Sequence, residues 1–209
     1  MTRKILKLLT LALVALVAAP AAFSDATTFE VDAAHSTVEF KIRHLLTRVS
    51  GNFRDFAGEI SWNAENPAAS KVEFVVQAAS IDTGNDDRDK HLRSPDFFDA
   101  ENHATLSFKS KKVSAAGEGK LSVTGDFTMH GVTKTITIPV EIGGVMQDPW
   151  GRTVAGFEAE FEIDRKDFGM VWNKLLDQGG AVLGDTVKIF IGVEAAARKP
   201  AEKEEAAAS

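Results

Sequence analysis

From Thr27 to Glu194 the chain alternates apolar and polar residues with a period of two, and no other feature limits its fold as much. Successive side chains of a strand point to opposite faces, so each alternating run is a strand with one face to bury. Eight such runs can be traced. They are marked by Val38, Phe40 and Ile42; by Phe56, Gly58, Ile60 and Trp62 in a stretch starting at Asn52; by Val72, Phe74, Val76 and Ala78; and by Leu106 and Phe108. The other four follow Leu121, Val123, Gly125 and Phe127; Lys134, Ile136, Ile138 and Val140; Phe157, Ala159, Phe161 and Ile163; and Val187, Ile189, Ile191 and Val193. The expected fold class is therefore all-β.

Punctuation between the runs points to antiparallel neighbours. Asn66-Pro67, the Ala115 to Gly119 stretch, His130-Gly131 and Asp148-Pro149 all carry turn chemistry. Two connections are longer. Gly84 to Ala100 begins with Asp86, Asp87 and Asp89 and ends with Leu92, Phe97 and Phe98, which predicts a short helix. Asp167 to Gly184 holds Phe168, Met170, Trp172, Leu175 and Leu176 and predicts a loop with a helical turn.

The ends of the chain differ from this middle. Arg3, Lys4 and Lys7 precede an apolar run from Leu8 to Val17, followed by the small residues Ala19, Ala21, Ala22 and Ser24. That layout predicts a secretory signal over residues 1–24, since a membrane span needs roughly 20 apolar residues. One domain is expected over residues 25–195, with no integral membrane segment once the signal is gone. Residues 196–209 are Ala, Glu, Lys and their like with no apolar pattern, which predicts a disordered tail. The leader carries three of the 24 basic residues and none of the 30 acidic ones, leaving −9 on the remainder. Such a charge argues against nucleic acid or an anionic membrane as partner. Cysteine is absent, so neither disulfides nor thiol chemistry is available and the domain must rely on its core.

Eight strands with one apolar face can pack as two sheets or close into a barrel, and a barrel of that size can be filled or can hold one small ligand. Periodicity does not separate a filled core from a cavity. Nor does the residue pattern call for catalysis. Asp32, His35 and Ser36 have the composition of a triad, but adjacent residues on an extended chain point to opposite faces, and triads are assembled across space. There is no His-x-His pair and no His-Glu-x-x-His, so no metal centre or cofactor is expected unless His35, His44, His91, His103 and His130 converge through the fold. Trp62, Trp150 and Trp172 are too scattered for a base-stacking platform.

Longer motifs add to this. Asp32-Ala33-Ala34-His35-Ser36 leads into Val38-Glu39-Phe40, and Gly51-Asn52-Phe53 and Phe56-Ala57-Gly58 follow. Then come Ser80-Ile81-Asp82-Thr83-Gly84-Asn85, Arg88-Asp89-Lys90-His91-Leu92 and Asp96-Phe97-Phe98-Asp99. Gly125 to Thr133 and Asp164 to Gly169 complete the series. In this order and spacing the set resembles the polyisoprenoid-binding YceI-like family over nearly the whole mature chain. Phe127 stands where leucine is expected, apolar for apolar.

The resemblance implies an eight-stranded antiparallel lipocalin-like barrel in the periplasm, with an internal channel for a long-chain isoprenoid lipid such as a quinone or its precursor. Taken with strand parity, it implies that Phe40, Ile42, Phe74, Val76, Phe108, Val123, Ile138, Phe161 and Ile189 line that channel. Arg88, His91, Arg165 and Asp167 are then candidates for a lid at the mouth that meets a lipid head group. Their plainer reading is a solvated helix face with capping acids. The expected activity is binding, with an enzyme acting on lipid in the same cavity as the alternative. A homodimer is compatible with the sequence.

Overall fold

The computed structural model describes residues 26–177 and 179–198. The expected signal and residues 199–209 lie outside the described residues. Eleven strands are found among the described residues: β1 (Thr27–Val31), β2 (Thr37–His44), β3 (Thr47–Phe53), β4 (Phe56–Trp62), β5 (Lys71–Gln77), β6 (Ile81–Asp82), β7 (Thr105–Gly117), β8 (Lys120–Met129), β9 (Val132–Gln147), β10 (Thr153–Asp164) and β11 (Leu183–Ala197). The α-helix, α1, spans Asp86–Arg93, inside the connection where it is predicted.

These eleven strands make an eight-walled closed barrel. Antiparallel pairing runs β1-β4-β5-β7-β8-β9-β10-β11, and β1 pairs back to β11. The remaining strands extend the first three walls. Strand β11 pairs with β1 through its last residues and with β2 through the rest. Strand β3 in turn pairs with β2 on one side and with β6 on the other. Each of the first three walls is thus one strand broken midway, at residues 32–36, at 54–55 and at Ala78–Ser80. Local bonds fill the gaps. Ser36 Oγ donates to the Glu194 carbonyl (3.2 Å) and accepts from its N–H (3.0 Å). Arg54 N–H donates to the Ser80 carbonyl (3.1 Å), and Gln77 N–H to Asp55 (2.9 Å). The ring closes through β1 and β11, which removes the free edges of an open sheet, while β9 and β10 pair only over Val140–Gln147 and Thr153–Ala159 and part toward the other end.

One expectation is met and one is corrected. The helical turn lies at Arg165–Phe168, overlapping the start of the predicted Asp167–Gly184 stretch, where Asp164 caps it by accepting from Lys166 N–H (2.9 Å). Beyond it the chain forms a small hairpin, bridged at Leu175 and Ala181. The tail boundary at residue 196 falls inside β11. Ala195 is fully buried against β1, and Arg198 pairs with Glu30 and Glu59 (2.7 Å each), so the barrel wall continues past the point where apolar alternation stops.

Two apolar clusters cap the interior. One, near the turns that follow β4, β7 and β9, contains Phe29, Trp62, Leu121 and Phe157, with Trp62 and Phe157 edge to face at 6.1 Å. The other, near α1, contains Phe53, Val76, Ile81, Met129, Phe168 and Met170. No helix among the described residues is long and apolar enough to cross a membrane.

Candidate functional site

A cavity of about 540 Å³ occupies the barrel between these clusters. All nine residues singled out by parity line it: Phe40 and Ile42 on β2, Phe74 and Val76 on β5, Phe108 on β7, Val123 on β8, Ile138 on β9, Phe161 on β10 and Ile189 on β11. Register explains the agreement. Ile189 stands opposite both Phe40 and Phe161, Phe74 opposite Phe108, and Val123 opposite Ile138. Directly paired residues share a face, so the inward set propagates around the ring. Six of the nine are only half-buried although they point inward, because their free surface faces the cavity. Two rings are set by glycines: a Cβ at Gly51 would lie 2.6 Å from Phe40, and one at Gly125 2.6 Å from Phe108. The bare backbone lets each ring lie flat on the neighbouring strand.

The mouth is covered by the segment around α1. Asn85 caps the helix by accepting from Arg88 N–H (2.9 Å); acids stand in its first turn and Lys90, His91 and Arg93 in its last, which suits the helix dipole. Asp89, 5% exposed, accepts from Thr83 N–H (3.0 Å) and from its hydroxyl. Arg93 Nη1 donates to the Ala79 and Ile81 carbonyls (3.2 Å each), tying the helix to the third wall.

The four mouth candidates separate. Arg88 lines the cavity, with Nε and Nη2 donating to the Thr83 hydroxyl (2.7 Å) and carbonyl (2.8 Å). His91 also lines it; its Nε2 meets Asp96 (2.9 Å) and its ring lies edge-on to Phe97 and Trp172, both at 5.0 Å. Arg165 is 2% exposed. It donates to the carbonyls of Gly184 (2.9 Å), Met170 (2.6 Å) and Trp172 (2.8 Å) and to Asp185 (3.1 Å), so its guanidinium organises the long connection. Asp167 does not reach the cavity: it is exposed and pairs with Lys134 (2.9 Å) outside the barrel. The turn at Arg165–Phe168 buries its first and last side chains and leaves Lys166 and Asp167 exposed, which period-two spacing does not reveal.

Sequence parity missed the lid's own lining, Leu92, Phe97, Phe98 and Trp172. The late apolar cluster in each long connection was the available signal. Asp32, His35 and Ser36 do not assemble as a triad. His35 Nδ1 meets Asp32 (3.0 Å), which raises the imidazole pKa, while Ser36 is engaged with the backbone of Glu194.

Residues 29–195 match the YceI-like domain. The chain belongs to the YceI-like family. Among curated relatives, a UPF0312 protein of Ectopseudomonas mendocina is 42% identical over 161 residues, covering 77% of this chain and 81% of its own. Among solved structures, the YceI-like barrel is similar to Burkholderia cenocepacia BcnA: 25% identity, TM-score 0.69, with 78% of this chain and 98% of that one covered. It also shares its fold with a polyisoprenoid binding domain from Saccharophagus degradans at 15% identity and TM-score 0.60, over 83% and 99% of the two chains.

Proposed function

We propose that this YceI-like chain is a periplasmic binding protein that holds the apolar chain of a polyisoprenoid or isoprenoid-quinone-type lipid inside its barrel. The observation that carries this reading is the interior cavity of about 540 Å³ lined mainly by apolar side chains, Phe, Ile, Leu and Val among them. Its size falls in the range of single-ligand pockets, roughly 300–1,000 Å³. Burying each methylene contributes about 0.8 kcal/mol, so a few isoprene units supply ample gross driving force against the cost of association. One head-group hydrogen bond adds only about 1 kcal/mol. The tail therefore sets affinity and the head group sets orientation, with Arg88 and His91 at the mouth as its polar contacts. The name of the Saccharophagus degradans domain supports an isoprenoid as the lipid class. The basic, apolar and small-residue segments of the first 24 residues support export.

The alternative, an enzyme acting on lipid in the cavity, would want coupled titratable groups deep in the barrel. Here the titratable residues of the lining are His44, Asp87, Arg88, His91 and Arg165, together with Glu39 and Glu158 on the walls, both exposed and of outward parity, and the nine parity residues are all apolar. The test is to extract purified, natively exported protein with organic solvent and identify the released lipid by mass spectrometry. Ala159 lines the cavity on β10, opposite Val140. Replacing it with Trp fills space without removing apolar surface. In an open cavity, Ala159→Trp lowers bound lipid about tenfold and leaves the melting temperature nearly unchanged, whereas overpacking a filled core costs roughly 1–3 kcal/mol. A destabilised variant together with a wild type that never carries lipid refutes the proposal.

A further inference from the structure

The lid meets the barrel at a second place, outside the cavity. His130 and Gly131 form the two-residue turn between β8 and β9, while Asp99 and His103 lie on the lid between α1 and β7. The rings of His103 and His130 stand edge to face with centroids 5.1 Å apart. One ligand atom from each of Asp99, His103 and His130 lies within 4.8 Å of the other two, and all three residues are half-buried.

We propose that Asp99, His103 and His130 bind a divalent first-row transition-metal ion of the zinc class, which clamps the lid to the β8–β9 turn. Two imidazoles and a carboxylate with a position left open are a ligand set such ions accept. The surroundings orient each ligand. His130 Nδ1 lies 2.9 Å from the Phe168 carbonyl, which can only accept. The proton is therefore on Nδ1, and Nε2 keeps its lone pair for a metal, the arrangement metal-bound histidines use. Both carboxylate oxygens of Asp99 accept from Asn102 Nδ2, at 3.0 Å each. His103 N–H donates to the Asp99 carbonyl (2.8 Å), closing a turn that brings the two side chains together. Gly131 makes room, since a Cβ there would lie 2.6 Å from His103 Cε1. Asp99 and His130 both have left-handed backbone, φ 46° and 51°, and such conformations gather at ligand clamps.

A second group, Asp32, His35 and Glu194, is also close enough to share an ion. It lacks this support: His35 is exposed, and its Nδ1 is already engaged by Asp32, which would have to serve as a ligand itself. It provides the internal control. The site shares no residue with the cavity lining, and its test needs no lipid.

The experiment is calorimetric titration of the tag-free, chelator-stripped chain with zinc chloride, paired with melting curves with and without the ion. Wild type should take up one equivalent and melt higher with zinc. His103→Gln and Asp99→Asn should each weaken binding more than about 100-fold, and Asn102→Ala about tenfold, as loss of an orienting partner does. His35→Gln should bind as wild type does. Absence of zinc binding in wild type overturns the proposal, as does undiminished binding in both His103→Gln and Asp99→Asn. So does loss of binding in His35→Gln. Circular dichroism of each zinc-free variant separates a lost ligand from a lost fold.

Discussion

The two ends of the barrel are built on opposite plans. At one end β4, β7 and β9 turn back through short connections, and those after β4 and β9 are held by side chains of their own. Asn63 Oδ1 accepts from the N–H groups of Glu65 (3.1 Å) and Asn66 (2.7 Å) ahead of Pro67. Asp148 Oδ1 accepts from Trp150 (2.9 Å) and Arg152 (2.8 Å). At the mouth the long connections depend on distant partners. Arg165 reaches Gly184 and Asp185, Arg93 reaches Ala79, and His91 meets Trp172 edge-on. A turn-closed end makes a permanent floor. An end closed by long-range side-chain bonds can open without unfolding the ring, as ligand exchange demands.

Substitutions at the two ends should therefore differ in kind. The largest effect is expected from Trp62→Ala in the floor. Trp62 is 8% exposed and packs on Phe157, and truncating such a side chain costs about 3–5 kcal/mol. Denaturant melts should show the whole barrel losing stability in one transition. A separate early phase would show that the floor is not part of the cooperative unit.

Arg165→Met comes next. It strips donors from three carbonyls at once, and each buried group left unpaired costs roughly 1–3 kcal/mol, reduced where water can enter. The expected loss is about 2–3 kcal/mol. Hydrogen exchange should place it in residues 169–184, with strands β8 and β9 still protected. Uniform loss of protection would erase the contrast between the ends.

Trp172→Ala sharpens the contrast further. Trp172 is half-buried and closes the lid over His91 and Phe97. Its removal should cost about 1 kcal/mol or less, below the range for a buried tryptophan. Release of a bound fluorescent isoprenoid should nonetheless quicken several-fold. Unchanged release kinetics would mean that the ligand leaves elsewhere.

The same contrast explains what the sequence discloses. The inward set is legible because period-two alternation and hairpin turns are local, and antiparallel register carries parity from strand to strand. The broken walls are harder to see. Thr27–Val31 and Thr37–His44 form one wall, yet residues 32–36 interrupt the pattern, and only pairing of both strands to β11 joins them. Arg165 reads as an exposed cation and is among the most buried side chains, because its partners lie as far as 20 residues away. The approach of His130 to Asp99 and His103 was equally hidden. The three come from a lid and a hairpin turn, with no metal-binding spacing in sequence.

The smallest effect concerns acid. Asp185 is held below the ordinary carboxylate range chiefly by its hydrogen bond from Lys166 Nζ (2.7 Å), with the positive charges of Lys166 and Arg165 adding to it. A carboxyl lowered in the folded state stabilises the fold above its unfolded pKa of about 3.9, and that contribution is lost as pH falls through the folded value. Its side chain is 41% exposed, so solvent and salt screen most of the gain. Protection of residues 169–184 should therefore decline gently below about pH 4, and less so in high salt. Asp185→Asn should lower protection slightly at neutral pH and flatten this acid slope. It should not abolish the slope, because Asp82 at the same end is also held low, first by the Gly84 N–H and then by Arg54. An unaltered acid slope in Asp185→Asn would show that Arg165 is anchored by its carbonyl partners alone. The mouth would then be held shut by neutral acceptors and would have no acid sensitivity through Asp185.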